Sequence, residues 1–170
     1  MLLANASGVS QSFGINVTGG HAVEGLEIHV QVADGGTDLG GTIVGPEISN
    51  VDILTGTIFA ANNTGTRTVA VRQYWWDGTT TTSGTVAANG LLATLEFDTG
   101  GILASDAHNP FDLILANAAF GTTWFPLYVP ADVTNGHLIL KNKPTAAISA
   151  PITVPEGGSV TLGGSDSQAW

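Results

Sequence analysis

Two carboxylates in a glycine-rich loop are the first residues whose type and spacing suit a specific chemistry. The segment Ala33 to Pro46 reads ADGGTDLGGTIVGP and carries Asp34 and Asp38. Calcium prefers hard oxygen ligands, and such a loop offers carboxylates together with free backbone carbonyls. Aspartate and glycine are also ordinary turn residues, and no EF-hand spacing is present. The loop is therefore a candidate calcium site, with a simple turn as the alternative.

A second candidate calcium site involves three further aspartates at the ends of predicted strands. Asp98 ends one strand, Asp112 lies at the start of the next, and Asp106 follows Ser105 in the segment between them. If these strand ends meet, their oxygens form a site suited to a hard cation. Turn formation is again the alternative.

The sequence contains no recognisable catalytic motif. A G-x-S-x-G elbow, an H-E-x-x-H helix and a glycine-rich phosphate loop with lysine are all absent. The histidines, at positions 21, 29, 108 and 137, are scattered over predicted loops and strand faces. His29 is predicted to face solvent near Glu27, as an ordinary surface residue. We therefore predict a protein that is not an enzyme.

Adjacent aromatic residues, Tyr74, Trp75 and Trp76, are the most unusual tripeptide of the chain. Side chains alternate along a strand, and the preceding valines predict that Trp75 is in the core while Tyr74 and Trp76 are on the surface. Exposed rings can stack on sugars or anchor a protein partner. Trp124 raises the same question. The alternative is that these rings cover the sheets or the strand ends.

The composition is that of an acidic β protein. The 170 residues include 14 acidic and 4 basic side chains, which gives a net charge of −10. Such a chain repels phosphate backbones, so neither nucleic acid nor an anionic membrane surface is an expected partner. No apolar run is long enough to span a membrane, and the absence of cysteine excludes disulfides. The low-charge, Thr/Gly/Asn-rich composition favours a piece of an exported protein.

A hydrophobic period of two recurs along residues 12–140, and no stretch keeps a helical period. The clearest example is Val86 to Asp98, where the turn Asn89-Gly90 precedes a strand. Its predicted core-facing residues are Leu91, Ala93, Leu95 and Phe97. Further strands are predicted over 12–17, 24–32, 67–76, 111–115, 118–129 (in two pieces) and 137–140. Short strands separated by Gly/Asn turns favour an all-β, antiparallel sandwich.

The composition changes after residue 140. Residues 141–144 are a predicted linker, and residues 145–170 restart a strand pattern that is too short for a further sandwich. We expect this predicted hairpin to pack on its own domain or to pair with an edge strand of a neighbouring chain. The apolar residues that would make either contact are Ile152, Val154, Val160 and Leu162.

The order of these segments resembles the cohesin-like (carbohydrate-binding-domain-like) modules of bacterial extracellular proteins, including planctomycete-type surface proteins. The resemblance covers residues 8–140 and is carried by the stretches EGLEIHVQV, VDILTGTIF, NGLLATLEFD, FDLILANAAF and NGHLIL. The tail, through EGGSVTL, resembles the opening of a PKD or Ig-like repeat. Together the resemblances imply a jelly roll of about nine strands within a modular, exported protein.

The resemblance implies a binding function, because cohesins hold a calcium-loaded dockerin. It transfers no dockerin-contacting residue, since that surface is not a compact motif. We therefore predict a non-enzymatic adhesion or scaffolding module that binds a protein partner through a sheet face or strand edge. One alternative is a carbohydrate-binding module with an aromatic platform of Tyr74, Trp76 and Trp124, with or without structural calcium. The other is a fibre subunit that complements the next protomer with its tail.

Overall fold

Eleven strands are present in the part of the chain that the computed structural model describes, namely residues 1–32, 35–39, 41–62, 67–121, 129–130 and 132–144. These residues also contain two short 3₁₀ segments, Gly36–Leu39 and Ala60–Asn62. The all-β prediction is confirmed, and the strand number exceeds nine because three strands have only two residues each. The strands are β1 (Leu2–Leu3), β2 (Gln11–Val17), β3 (Ala22–Val32), β4 (Glu47–Asp52), β5 (Arg67–Val71), β6 (Trp75–Ala87), β7 (Gly90–Asp98), β8 (Phe111–Gly121), β9 (Val129–Pro130), β10 (Gly136–Leu138) and β11 (Leu140–Lys141).

The strands form two main antiparallel sheets and one short parallel pair. The six-stranded sheet has the order β10-β8-β3-β6-β5, with β9 also paired to β8, and the three-stranded sheet has the order β2-β7-β4. The pair β1–β11 is parallel. Side chains from both main sheets share one core, in which Val30, Trp76 and Phe97 have no exposed surface. The antiparallel β-sandwich that the sequence predicts is therefore confirmed.

Strand β7 is the central strand of the three-stranded sheet. Ala93, Leu95 and Phe97 are fully buried, as the alternation predicts. Gly90, the second residue of the predicted Asn-Gly turn, has φ = +136° and allows the chain to pass from β6 in one sheet to β7 in the other.

A bulge in β7 changes the expected alternation at its start. Ile15 of β2 pairs with Ala93, but the next residue, Asn16, pairs with Leu91. Leu92 is thus the extra residue of a β-bulge, and it is buried although the alternation predicts an outer position. Leu91, which the same alternation places in the core, is only half-buried.

Strand β3 lies in the middle of the six-stranded sheet and alternates as predicted. The inward residues Leu26, Ile28 and Val30 are at most 3% exposed. Its outward residues include Glu27, which is exposed, and His29, which is half-buried. Since β6 and β8 flank β3, these outward side chains occupy the centre of the outer face of this sheet.

Strand β8 is longer than the sequence predicts, because a bulge carries it past an interruption in the alternation. His29 pairs with Asn117 and Val30 pairs with Leu115, which leaves Ala116 as the extra residue. The strand therefore runs without a break through Gly121, whereas the sequence predicts one strand over 111–115 and a separate one that begins at residue 118.

The C-terminal predictions fall mostly outside the described residues. Strand β11 includes Lys141, so the predicted linker begins within a strand. Residues 145–170, with the apolar positions Ile152, Val154, Val160 and Leu162, lie outside the described residues, and the division into domains stays a prediction. No helix of the described part is long and apolar enough to cross a bilayer.

Buried polar side chains hold the short strand β1 against the sandwich. Thr99 has no exposed surface, and its hydroxyl donates to the Leu3 carbonyl at 2.6 Å. The Gln11 amide binds both the backbone N–H and the carbonyl of Leu3. Because β1 consists of two residues, these side-chain contacts supply much of its hydrogen bonding.

The hydroxyl of Thr80 is a site where substitution should stabilise the fold. Thr80 is 1% exposed on β6, and its Oγ1 has no hydrogen-bond partner. An unpaired buried hydroxyl costs about 1–3 kcal/mol. We expect Thr80→Val, which keeps the shape, to raise the free energy of unfolding by about 1 kcal/mol in urea denaturation.

A matched control for this variant is Thr57→Val. Thr57 is also buried, but its hydroxyl donates to the Leu54 carbonyl at 2.9 Å. The control should lose about 1 kcal/mol. A loss of similar size in Thr80→Val would contradict the unpaired state of the Thr80 hydroxyl.

Candidate binding face

Tyr74 and Trp76 are buried, with 4% and 0% of their surface exposed, so the prediction that they lie on the surface is wrong. The strand predicted through Trp76 is two strands joined by a tight turn. The Arg72 N–H donates to the Trp75 carbonyl at 2.9 Å, which closes the β5–β6 hairpin. Side-chain alternation does not continue through a turn. Consequently Trp76, which pairs with Val71 and Val30, takes an inner position.

Glycines make room for both buried rings. A Cβ at Gly78 would lie 2.3 Å from Cζ2 of Trp76, and a Cβ at Gly36 would lie 2.3 Å from Cδ2 of Tyr74. The indole therefore lies against the strand at Gly78, in a space that only glycine leaves. Neither ring is available to stack on a sugar. Trp124 lies outside the described residues.

Trp75, which the sequence places in the core, is half-buried on the outer face of the six-stranded sheet. The ring centroid of His29 lies 5.5 Å from that of Trp75, with a 30° tilt between the planes. The guanidinium carbon of Arg72 lies 5.7 Å from the indole centroid, a favourable cation–π distance. The sequence contains one sign that the alternation is interrupted here. Gln73 is polar, although the alternation that places Trp75 in the core also places Gln73 there.

His29 and Asp77 form a cross-strand pair beside this tryptophan. They are direct register partners on β3 and β6, and Nδ1 of His29 hydrogen-bonds Oδ1 of Asp77. The side chains are 22% and 51% exposed. We call Arg72, Trp75, His29 and Asp77 the Trp75 cluster. Sequence reasoning treats His29 as an isolated surface residue, because the pairing of β3 with β6 is a long-range contact.

A shallow pocket lies next to the Trp75 cluster, between β3 and β6. Its volume is about 260 Å³. Pockets for small molecules and cofactors are usually larger, at about 300–1,000 Å³, so this one suits a single side chain better. Glu27 pairs with Thr79 in the strand register, two residues from the His29–Asp77 pair. The lining residues are Glu27, Ile28, His29, Asp77, Gly78 and Thr79.

The structure does not bring the three aspartates of the second predicted calcium site together, and calcium binding by the chain stays a prediction. Asp98 ends a strand of the three-stranded sheet, whereas Asp112 lies on β8 of the other sheet and contacts His137 at 2.9 Å. Asp106 accepts a hydrogen bond from the His108 N–H at 2.9 Å. Among the described residues, no group of three or more acidic or histidine side chains is placed to hold a metal ion.

The first predicted calcium site stays a prediction. Asp34 lies outside the described residues. Asp38 lies in the 3₁₀ segment Gly36–Leu39, and the structure does not describe its side chain.

Comparison with known proteins identifies a structural neighbour. No protein-family model matches the chain, and no curated protein matches it at a significant level. The fold is similar to that of the seventh ScaB type I cohesin from Pseudobacteroides cellulosolvens, with a TM-score of 0.54 and 14% sequence identity. The match covers 88% of this chain and 94% of the cohesin chain. The chain therefore has a cohesin-like β-sandwich fold.

Proposed function

We propose that this chain is a non-catalytic, protein-binding scaffolding module whose binding surface is the outer face of the six-stranded sheet. The observation that carries the proposal is the Trp75 cluster. A half-buried tryptophan that is flanked by arginine and histidine and lies beside a pocket has the composition of a protein-binding hot spot. The cohesin-like fold supports the same kind of function.

The partner class that we propose to test first is a calcium-loaded dockerin module, because the sequence resembles cohesin-like modules. We also propose that the chain acts in adhesion or scaffolding as part of an exported or cell-surface bacterial protein. The composition supports this location, since the chain is poor in charged residues and rich in threonine, glycine and asparagine. Carbohydrate binding is the weaker proposal, because Tyr74 and Trp76, two of the three rings of the predicted platform, are buried.

Calorimetric titration with a panel of calcium-loaded dockerins tests this proposal. We expect binding by at least one dockerin, and a loss of affinity of about tenfold or more in Trp75→Ala, because hot-spot aromatics carry much of the binding energy. The control is Phe13→Ala. Phe13 is a half-buried aromatic residue of the opposite sheet whose ring contacts Phe97, so this variant should lose stability but not affinity.

Two results would contradict the proposal in different ways. Full affinity in Trp75→Ala would exclude the outer face as the binding surface. If the folded chain bound none of the dockerins of the panel, dockerins would be excluded as the partner class.

A further inference from the structure

We infer that the pocket beside the Trp75 cluster receives a basic side chain of the protein partner, arginine in preference to lysine. This inference rests on the proposed function, because it takes the outer face of the six-stranded sheet as the binding surface. The inference adds to the proposed function the type of side chain that the partner inserts into this pocket.

The pocket carries negative charge that neighbouring cations of the described chain do not neutralise. Glu27 is exposed and forms no hydrogen bond or ion pair with any described residue. Asp77 uses Oδ1 for His29 and is otherwise half-exposed. The nearby guanidinium of Arg72 lies over Trp75 and donates to the Val71 carbonyl instead. In a chain with a net charge of −10, this pocket is complementary to a cation.

The strand register favours a guanidinium over an ammonium group. Glu27 is opposite Thr79 and His29 is opposite Asp77, so the two carboxylates lie on a diagonal of the β3–β6 ladder. Diagonal positions are about 7–8 Å apart. The five N–H donors of a planar guanidinium can reach acceptors on both sides, whereas an ammonium is a compact point charge. The Thr79 hydroxyl adds a further acceptor at the pocket wall.

The geometry also argues against a metal ion as the occupant. No group of three or more acidic or histidine side chains in the described part is placed for metal coordination, and this includes Glu27, His29 and Asp77. Calcium takes about 6–8 oxygen ligands, and the side chains that line this pocket offer only two carboxylates and the Thr79 hydroxyl. Charge complementarity therefore favours an organic cation, and the spacing of the acceptors favours a guanidinium.

The magnitude expected for an isolated side chain is small. An exposed ion pair is worth only about 0.2–1 kcal/mol, and coupling between charges becomes larger when a protein interface excludes water. Two such pairs amount to about 2 kcal/mol at most, so we expect a free arginine derivative to bind with a Kd of about 30 mM or weaker and the complete partner to bind far more tightly.

Two-dimensional NMR of the ¹⁵N-labelled full chain tests the inference directly. We expect N-acetylarginine amide to shift the backbone resonances of Ile28, Asp77, Gly78 and Thr79. N-acetylcitrulline amide, which has a similar shape without the charge, should leave them unchanged, and N-acetyllysine amide should bind at least about threefold more weakly.

Paired variants provide the matched protein controls. The double variant Glu27→Gln/Asp77→Asn should lose the shifts that arginine causes. Glu96→Gln should keep the shifts, because Glu96 lies on β7 of the opposite sheet. This control removes one negative charge, as each of the two substitutions in the double variant does. Equal shifts with citrulline, or shifts that survive the double variant, would overturn the inference. Equal affinity for lysine would overturn the preference for arginine.

Failure of this inference can be told apart from failure of the proposed function. If Trp75→Ala abolishes dockerin binding but Glu27→Gln/Asp77→Asn leaves the affinity and its salt dependence unchanged, the face is correct and the cationic pocket is wrong. If arginine binds the pocket but Trp75→Ala leaves dockerin binding intact, the pocket exists and the proposed face is wrong.

Discussion

Trp76→Ala should lower the free energy of unfolding by about 3–5 kcal/mol, the usual cost of truncating a large core aromatic residue. Trp76 has no exposed surface, and its indole fills the space that Gly78 leaves on the inner side of β6. The indole N–H is buried without a hydrogen-bond partner, which already costs stability in the wild type. We therefore expect a value in the lower half of this range. Urea denaturation followed by far-UV circular dichroism gives the measurement without relying on tryptophan fluorescence.

Trp75→Ala is the informative comparison for this prediction. Trp75 is half-buried on the outer face, so its truncation leaves no closed cavity and should cost less than half as much stability as Trp76→Ala. The same variant should weaken partner binding, which Trp76→Ala should affect only through unfolding. If Trp75→Ala proved the more destabilising of the two, the hairpin turn at Arg72–Trp75 would be incorrectly placed.

The structure reverses the predicted positions of Trp75 and Trp76, which shows where side-chain alternation stops being a reliable guide to burial. From Leu26 to Val32 of β3 and over most of β7, the phase does not change, and the period of two correctly separates Val30 and Phe97 from Glu27. At Gln73 a turn resets the phase, and at Leu92 a bulge inserts one residue. Turns and bulges depend on hydrogen bonds to other strands, which a pattern within one segment does not contain.

The candidate site is harder to predict than the fold for the same reason. The residues of the Trp75 cluster come from positions 29 and 72–77 and meet only because β3 pairs with β6. Asp98 and Asp112 show the opposite case, because they are close in sequence but lie on different sheets. In a sandwich in which the chain often passes from one sheet to the other between strands, proximity in sequence does not predict which side chains form a common site.

The pairing of the first and last described strands gives a second large expected effect, at Asn109. Its side-chain amide donates to the carbonyls of Ala104 and Leu140, at 2.8 and 3.0 Å, and its Oδ1 accepts from the Leu140 N–H at 2.9 Å. These bonds fasten β11 to the loop before β8, and β11 in turn pairs with β1 through Leu2. No sequence pattern predicts a contact of this kind between residues 31 positions apart.

Asn109→Ala removes all three hydrogen bonds at once, and we expect it to lower the free energy of unfolding by about 2–4 kcal/mol. Leu140 is 1% exposed, so water cannot readily replace the lost partners of its backbone. The control is Asn135→Ala, which removes one hydrogen bond to the Leu115 N–H from an exposed side chain and should cost less than about 1 kcal/mol. Hydrogen exchange distinguishes a local effect from a global one. In Asn109→Ala, the amide protons of Leu2, Ala4 and Leu140 should exchange faster than those in the centre of β3. Uniform acceleration over both regions would show that β1 and β11 do not open as a separate unit.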